Sequence, residues 1–166
     1  MRTPLRQRGF TLLELIIVIA IISIFIGVSY SRISAVFPYY RLRDEARELA
    51  INFKKAKIEA VKRNRDVVIL FVDAVAGVQN GSYRIFVNMD RDVLVPHTIG
   101  AGDILLVNQL IHTNVQLVSN FSNDQAGYDS RGLPIQLANQ DVVLSTNDGS
   151  RSLTLTVSQV GNVRLR

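Results

Sequence analysis

Residues 10–30 form an almost unbroken apolar run. It follows a nine-residue stub carrying Arg2, Arg6 and Arg8 and no acid. About 20 apolar residues suffice to cross a bilayer as a helix, so this run constrains the fold before anything else in the chain. Its one charge, Glu14, is the anomaly. A carboxylate at the centre of a membrane helix costs roughly 2.5–3.5 kcal/mol on insertion scales, so it needs a partner. The arginines of the stub would keep the N-terminus on the cytoplasmic side.

Two ordinary readings explain only part of this. A secretory signal peptide would have a basic start, an apolar centre and small residues such as Gly27 and Ser29 near a cleavage point, but an acid at the fifth apolar position fits it poorly. A plain signal anchor leaves Glu14 unexplained. The junction Gly9-Phe10-Thr11-Leu12-Leu13-Glu14 resembles the N-terminal signal of type IV pilins and type II secretion pseudopilins. The resemblance implies that a prepilin peptidase cuts after Gly9 and that the new Phe10 amine is N-methylated. It also implies that Glu14 pairs with the Phe10 amine of a neighbouring subunit as a filament assembles. The physics agrees: cleavage creates a cation four residues from the carboxylate, and in hydrocarbon the two attract strongly because screening is weak.

The net charge of +5 suggests nucleic acid until it is divided along the chain. The leader holds +3, Glu14 holds −1, residues 32–65 hold +6 and residues 66–166 hold −3. The basic excess therefore lies in the leader and just past the membrane, which favours anionic headgroups or acidic neighbours over a nucleic-acid partner. With no cysteine there is neither a disulfide framework nor a thiolate metal site, and a body outside the cytoplasm must hold by packing alone.

Past the apolar run, Leu42, Ala46, Leu49, Phe53, Ala56 and Ala60 recur every three or four residues. They predict an amphipathic helix ending near Arg65 that lays a stripe of alternating large and small residues on a sheet. Pro38 should bend or break it. From Val67 the period changes. Strands are expected at 67–72, 82–87, 104–111, 115–119, 133–137, 142–145, 153–157 and 163–166, with turns at Asn80-Gly81, Asp148-Gly149 and Gly161. Residues 96–102 read as the most loop-like part of the body. The expected fold class is α+β: a long N-terminal helix, half membrane-embedded and half amphipathic, packed on an antiparallel β domain. Its divisions are a cleaved leader at 1–9, a transmembrane or filament-core helix at 10–30, an amphipathic helix at 31–65 and a periplasmic β domain at 66–166.

Three stretches of the body resemble the GspH/FimT group of minor pseudopilins and minor pilins. They are residues 56–64, Asp129-Ser130-Arg131-Gly132, and Gly161-Asn162-Val163-Arg164-Leu165-Arg166. The group implies a structural subunit with no enzyme activity, placed in the bacterial inner membrane and then extracted into a filament. Its partners would be prepilin peptidase and other pseudopilins or pilins. A type II secretion filament is the leading expectation and a type IV pilus the alternative. Some relatives bind DNA through a C-terminal Gly-Arg-x-Arg element. Here Asn162 replaces the first arginine, leaving Arg164 and Arg166 as a weak, salt-sensitive contact. The favoured reading has both arginines facing solvent and guarding a sheet edge, with nucleic acid disfavoured as a partner.

No other constellation carries chemistry. Asn88-x-Asp90-x-Asp92 opens like a calcium loop, but Val93 and Ile99 stand where glycine and glutamate are needed. His97 and His112 lack metal-ligand spacing, and Gly100-Ala101-Gly102-Asp103 is too short to cradle phosphate. No metal, cofactor or catalytic residue is expected.

Overall fold

The computed structural model describes residues 10–75, 80–89, 99–100, 102–135 and 140–166, the side chains of 28–35 excepted. The leader, with Gly9, lies outside the described residues. The long helix, α1, spans Leu12–Arg63 and contains Pro38. The proline therefore does not end the helix, contrary to one of the two expectations for it. The chain divides between Phe37 and Pro38 into two compact units.

In the first unit, Thr11 starts the helix. Its hydroxyl accepts the backbone N–H of Glu14 at 3.2 Å and its carbonyl accepts that of Leu15 at 3.2 Å. This is the N-cap half of a capping box, with the acid at the third helical position. Ser23, a polar residue within the run, donates its hydroxyl to the Ile19 carbonyl at 2.8 Å, so its polar atom is satisfied inside the helix. The apolar side chains around the helix stand open, from Phe10 at 84% exposure to Val18 at 46%. Among the described residues, no helix is long and apolar enough to cross a membrane.

The second unit is a helix laid on two antiparallel sheets. Its strands are β1 (Val67–Val72), β2 (Ser82–Val87), β3 (Ile104–Leu110), β4 (Val115–Ser119), β5 (Gln125–Tyr128), β6 (Gln140–Thr146), β7 (Ser152–Val157) and β8 (Val163–Leu165). One sheet runs β3-β2-β1-β5 and the other β4-β6-β7-β8. All six residues of the expected stripe are fully buried and share one apolar cluster with both sheets. Phe53 is its centre, with ring centroids 6.1 Å from Phe71 and 6.3 Å from Phe121. Beside it, Asn52 Nδ2 donates to the Tyr83 hydroxyl at 2.8 Å. This pair satisfies the polar atoms of a buried ring, and burial pushes the tyrosine's pKa well up.

The helix stops two residues before the expected end, for a local reason. Asn64 takes φ 51°. Its N–H donates to the Val61 carbonyl and that of Arg65 to the Ala60 carbonyl, which is the Schellman arrangement with asparagine in the left-handed position. Two expectations in the sheets also need correction. The strand expected at 133–137 is only a single bridge between Pro134 and Tyr128, because proline cannot donate to a ladder; residues 136–139 lie outside the described residues. In its place the sheet takes β5, whose Gln-Ala-Gly-Tyr sequence has little strand character. Asn80-Gly81, expected as a turn, docks on another segment, and residues 76–79 before it lie outside the described residues. The Asn80 carbonyl accepts the N–H of Leu117 at 3.0 Å and the Gly81 carbonyl that of Ile111 at 3.1 Å.

Candidate functional site

The N-terminal site consists of Phe10, Thr11 and Glu14. Phe10 precedes the cap and is 84% exposed. Glu14 lies in the first turn and is exposed. The first turn of a helix presents free N–H groups and the positive end of its dipole, so a carboxylate is at home there and a cation is not. An amine released on Phe10 would stand at that same positive end. It would therefore gain more from an outside carboxylate than from its own helix. Gly9, the expected cut site, lies outside the described residues.

At the far end of α1 the three body stretches singled out in the sequence meet. Lys57 Nζ donates to the Val160 carbonyl at 3.3 Å and stands 6.0 Å from the centre of the Tyr128 ring. The Tyr128 hydroxyl donates to the Gly161 carbonyl at 3.5 Å, and burial raises its pKa to about 12. A methyl group at Gly161 would lie 3.0 Å from Tyr128 Cε1 and 3.1 Å from Lys57 Nζ; one at Gly132 would lie 3.0 Å from Val61 Cγ2. Both glycines also take a left-handed backbone, φ 76° at Gly161 and 77° at Gly132, which a side chain would strain whatever the space. The turn at 129–132 is held by the Asp129 carboxylate, which accepts the N–H groups of Arg131 and Leu133 at 2.9 and 2.8 Å. Burial pushes Asp129 up, but those N–H groups and the Arg131 guanidinium outweigh it and hold its pKa below the usual carboxylate range.

Arg164 and Arg166 are both exposed on and just past β8, the edge strand of the second sheet. They are not alone there. An open groove of about 480 Å³ is lined by Lys54, Lys57, Ile58, Asn162 and Arg164, with Gly161 and Val163. A second of about 360 Å³, lined by Thr156, Ser158, Asn162, Arg164 and Arg166, adjoins it. Sequence reasoning missed the two lysines, which lie about a hundred residues from the arginines. The only available signal was that they fall off the buried stripe near the end of the helix.

The remaining expectations resolve simply. The Asn88 N–H donates to the Asp66 carbonyl at 2.9 Å, while Asp90, Asp92, Val93 and His97 lie outside the described residues. Asp103 accepts the N–H groups of Met89 and Gly100 at 3.0 and 2.9 Å, so its carboxylate closes a turn. Its near neighbour Ala101 is outside the described residues. His112 is exposed, and its backbone N–H donates to Glu45 Oε1 at 3.1 Å. Burial raises the pKa of Glu45, the His112 N–H partly offsets this, and Glu48 and Asp44 add to the rise. Among the described residues no group of three or more histidines, aspartates or glutamates could hold a metal.

Residues 45–161 match the family model described as type II transport protein GspH, and residues 4–30 match the prokaryotic N-terminal methylation motif. The pilin-like protein PilA1 of Thermus thermophilus is 29% identical over 165 residues, covering 96% of this chain and 98% of that one. The type IV minor pilin FimU of Pseudomonas aeruginosa aligns with a TM-score of 0.53 at 22% identity, over 75% of this chain and 92% of that one. The minor pseudopilin EpsH of the Vibrio cholerae type 2 secretion system aligns with a TM-score of 0.55 at 11% identity, over 76% and 96%. A family model over most of the body, a methylation motif over the apolar start and a shared helix-on-sheets fold agree: the chain belongs to the GspH family of type IV pilin-like proteins.

Proposed function

We propose that this protein is a structural minor pseudopilin of a type II secretion system. In this reading prepilin peptidase cuts after Gly9 and Phe10 becomes the N-methylated terminus. The chain first sits in the inner membrane, N-terminus inside and β body in the periplasm. An external motor then moves it into a short filament. The observation that carries the reading is a lone carboxylate in the first turn of α1, in an otherwise almost wholly apolar and openly exposed stretch that runs to Gly27. Glu14 is the assembly contact: it neutralises the Phe10 amine of the neighbouring subunit, where both would otherwise be stranded in an apolar core. The match of residues 45–161 to a type II transport model favours the secretion filament. The likeness to a type IV minor pilin supports the second reading, a subunit that primes pilus assembly.

Glu14→Ala tests the contact. Membrane insertion should persist, because removing a charge from an apolar span eases insertion. Incorporation into sheared filaments should fall at least about tenfold, the effect of losing one interaction worth about 1.4 kcal/mol. Normal incorporation would remove Glu14 from this role. Deletion of the whole chain, assayed in parallel for exoprotein secretion and for surface pili, separates the two machines: loss of secretion alone supports the first reading, and loss of pili alone the second.

A further inference from the structure

Among the described residues, three of the four outer sheet edges are closed or blunted. The far side of β4 is occupied: Leu117 donates its N–H to the Asn80 carbonyl at 3.0 Å and accepts that of Ala74 at 2.8 Å. On the far side of β5 the Gly127 carbonyl accepts the N–H of Ile135 at 3.1 Å. The ladder of β3 shifts register between Ile85 and Phe86, and such a bulge twists an edge away from pairing. The fourth edge, β8, is open. Thr154 and Arg166 exchange both backbone bonds, at 2.8 and 2.9 Å, and Ser158 donates to the Asn162 carbonyl at 2.9 Å. In an antiparallel ladder such pairs alternate with pairs whose backbone groups point outward. Val163 lies opposite Val157 and Leu165 opposite Leu155, so the N–H and carbonyl groups of Val163 and Leu165 point away from β7. Neither residue has another backbone partner among the described residues.

The groove of about 480 Å³ lies along this edge, with β8 as one wall and Lys54, Lys57 and Ile58 of α1 as the other. Side chains of a strand alternate between its two faces. Arg164 and Arg166 stand exposed on one face. On the other, Val163 packs against the core cluster, while Leu165 is 36% exposed and Ile58 across the groove 64%. No carboxylate lines the groove or its neighbour. Asp141 is the nearest acid in register, two strands from Arg164, and its carboxylate accepts Asn120 Nδ2 at 2.8 Å. Unpaired backbone, apolar surface and uncompensated cations therefore meet at one edge.

We propose that β8 receives an extended strand of a different subunit of the filament, one in which acidic and apolar residues alternate. The inference rests on the pilin-like reading above and deepens it by naming a partner contact. Main-chain bonds to Val163 and Leu165 hold such a strand, and its alternating side chains give specificity. The acids meet Arg164 and Arg166, and the apolar residues meet Val163, Leu165 and Ile58. A second copy of this chain does not fit. Among the eight strands described, only β6 holds an acid, Asp141, and β6 is paired on both sides. Pairing β8 with another β8 would set Arg164 and Arg166 against their own kind, and like charges across strands repel. The arginines thus bar self-pairing and admit an acidic partner.

Leu165→Pro isolates the main-chain contact. Proline removes one N–H, and at this position that N–H points outward, so the bonds to β7 remain. Its constraint on the preceding residue favours the extended backbone that Arg164 already has. Leu165→Ala trims the same side chain and keeps the N–H. The probe is a short fluorescent peptide alternating glutamate and valine, capped at both ends, and its binding to the full-length chain in detergent is followed by anisotropy. The parent and Leu165→Ala should bind it, and Leu165→Pro at least about tenfold more weakly. Arg164→Glu should weaken it by a similar factor and favour a lysine–valine peptide instead. The same glutamate–valine peptide with N-methylated amides tests the main-chain bonds on the unaltered protein. It too should bind at least about tenfold more weakly, whether or not the proline variant folds. No binding to the parent, or equal binding of the N-methylated peptide, overturns the proposal. Self-association of the chain that excludes the peptide would give the edge to a second copy and overturn it as well. Duplex DNA bound more tightly than the peptide, indifferent to Leu165→Pro and lost in Arg164→Glu, would assign the groove to nucleic acid with the same consequence. The mass of the same preparation reports its N-terminus. A processed chain that does not bind the peptide contradicts this contact alone, whereas an unprocessed chain contradicts the pilin-like reading beneath it.

Discussion

Phe53→Ala is expected to destabilise the body by about 3–5 kcal/mol, the range for truncating a buried aromatic. Native domains have only about 5–15 kcal/mol in total, so a large share of the folded population's margin disappears. The size follows from position. Phe53 is fully buried and its ring meets Phe71 of β1 and Phe121 just before β5, which themselves stack at 5.5 Å and 17°. The aromatic trio joins the helix to the first sheet, and an alanine leaves a void that no neighbouring element can close without moving a whole layer. A small void of about 10 Å³ already lies beside Phe53, Phe121 and Tyr128, so the new cavity would enlarge an existing packing fault. Phe53→Leu retains most of the volume and should cost about 1 kcal/mol. Urea unfolding of the detergent-solubilised chain, followed by tyrosine fluorescence since there is no tryptophan, measures both. Equal midpoints for Phe53→Ala and the parent would mean that the helix is not anchored here.

Gly127→Ala should cost about 3 kcal/mol, at the upper end for overpacking, although it adds one methyl group. That methyl would lie 2.7 Å from the Val67 carbonyl oxygen and 2.8 Å from Ile135 Cδ1. Ile135 can turn aside. The Val67 oxygen cannot, because Val67 is held between Val87 of β2 and Tyr128 of β5. The methyl therefore pushes β5 off the sheet. Gly149→Ala is the control with the opposite cause: nothing lies within 4 Å of its added methyl, but its φ is +67°. Only backbone strain opposes the methyl, at about 1 kcal/mol. The two variants compared by the same unfolding measurement separate crowding from conformation, and Gly149→Ala proving the more damaging would refute the crowding argument.

The parts of this fold that could be read in advance are those whose period reports burial. Leu42 to Ala60 recur at helical spacing, and every member of that stripe is buried; Leu153 to Val157 alternate, and β7 pairs on both edges. The strand β5 could not be read, because Gly127 is selected by what lies 2.7 Å away and not by any preference of its own. The division of the body into two sheets was equally hidden. Both are antiparallel, and the crossings from β3 to β4, β4 to β5 and β5 to β6 leave no mark on local patterning. Of the candidate sites, the N-terminal one was legible because its chemistry is contiguous: the cap, the acid and the apolar run start within a few residues of one another. The groove was not, since Lys54 and Lys57 join Arg164 and Arg166 only through the packing of α1 beside β8.

Every functional step above depends on the junction between Gly9 and Phe10. The intact mass and N-terminal sequence of the protein purified from the inner membrane therefore test it most directly. A chain shortened by residues 1–9 that begins with a methylated Phe10 is expected. A mature protein that keeps Met1, or is cut near Gly27 and Ser29 as a secretory signal would be, contradicts the pilin-like reading.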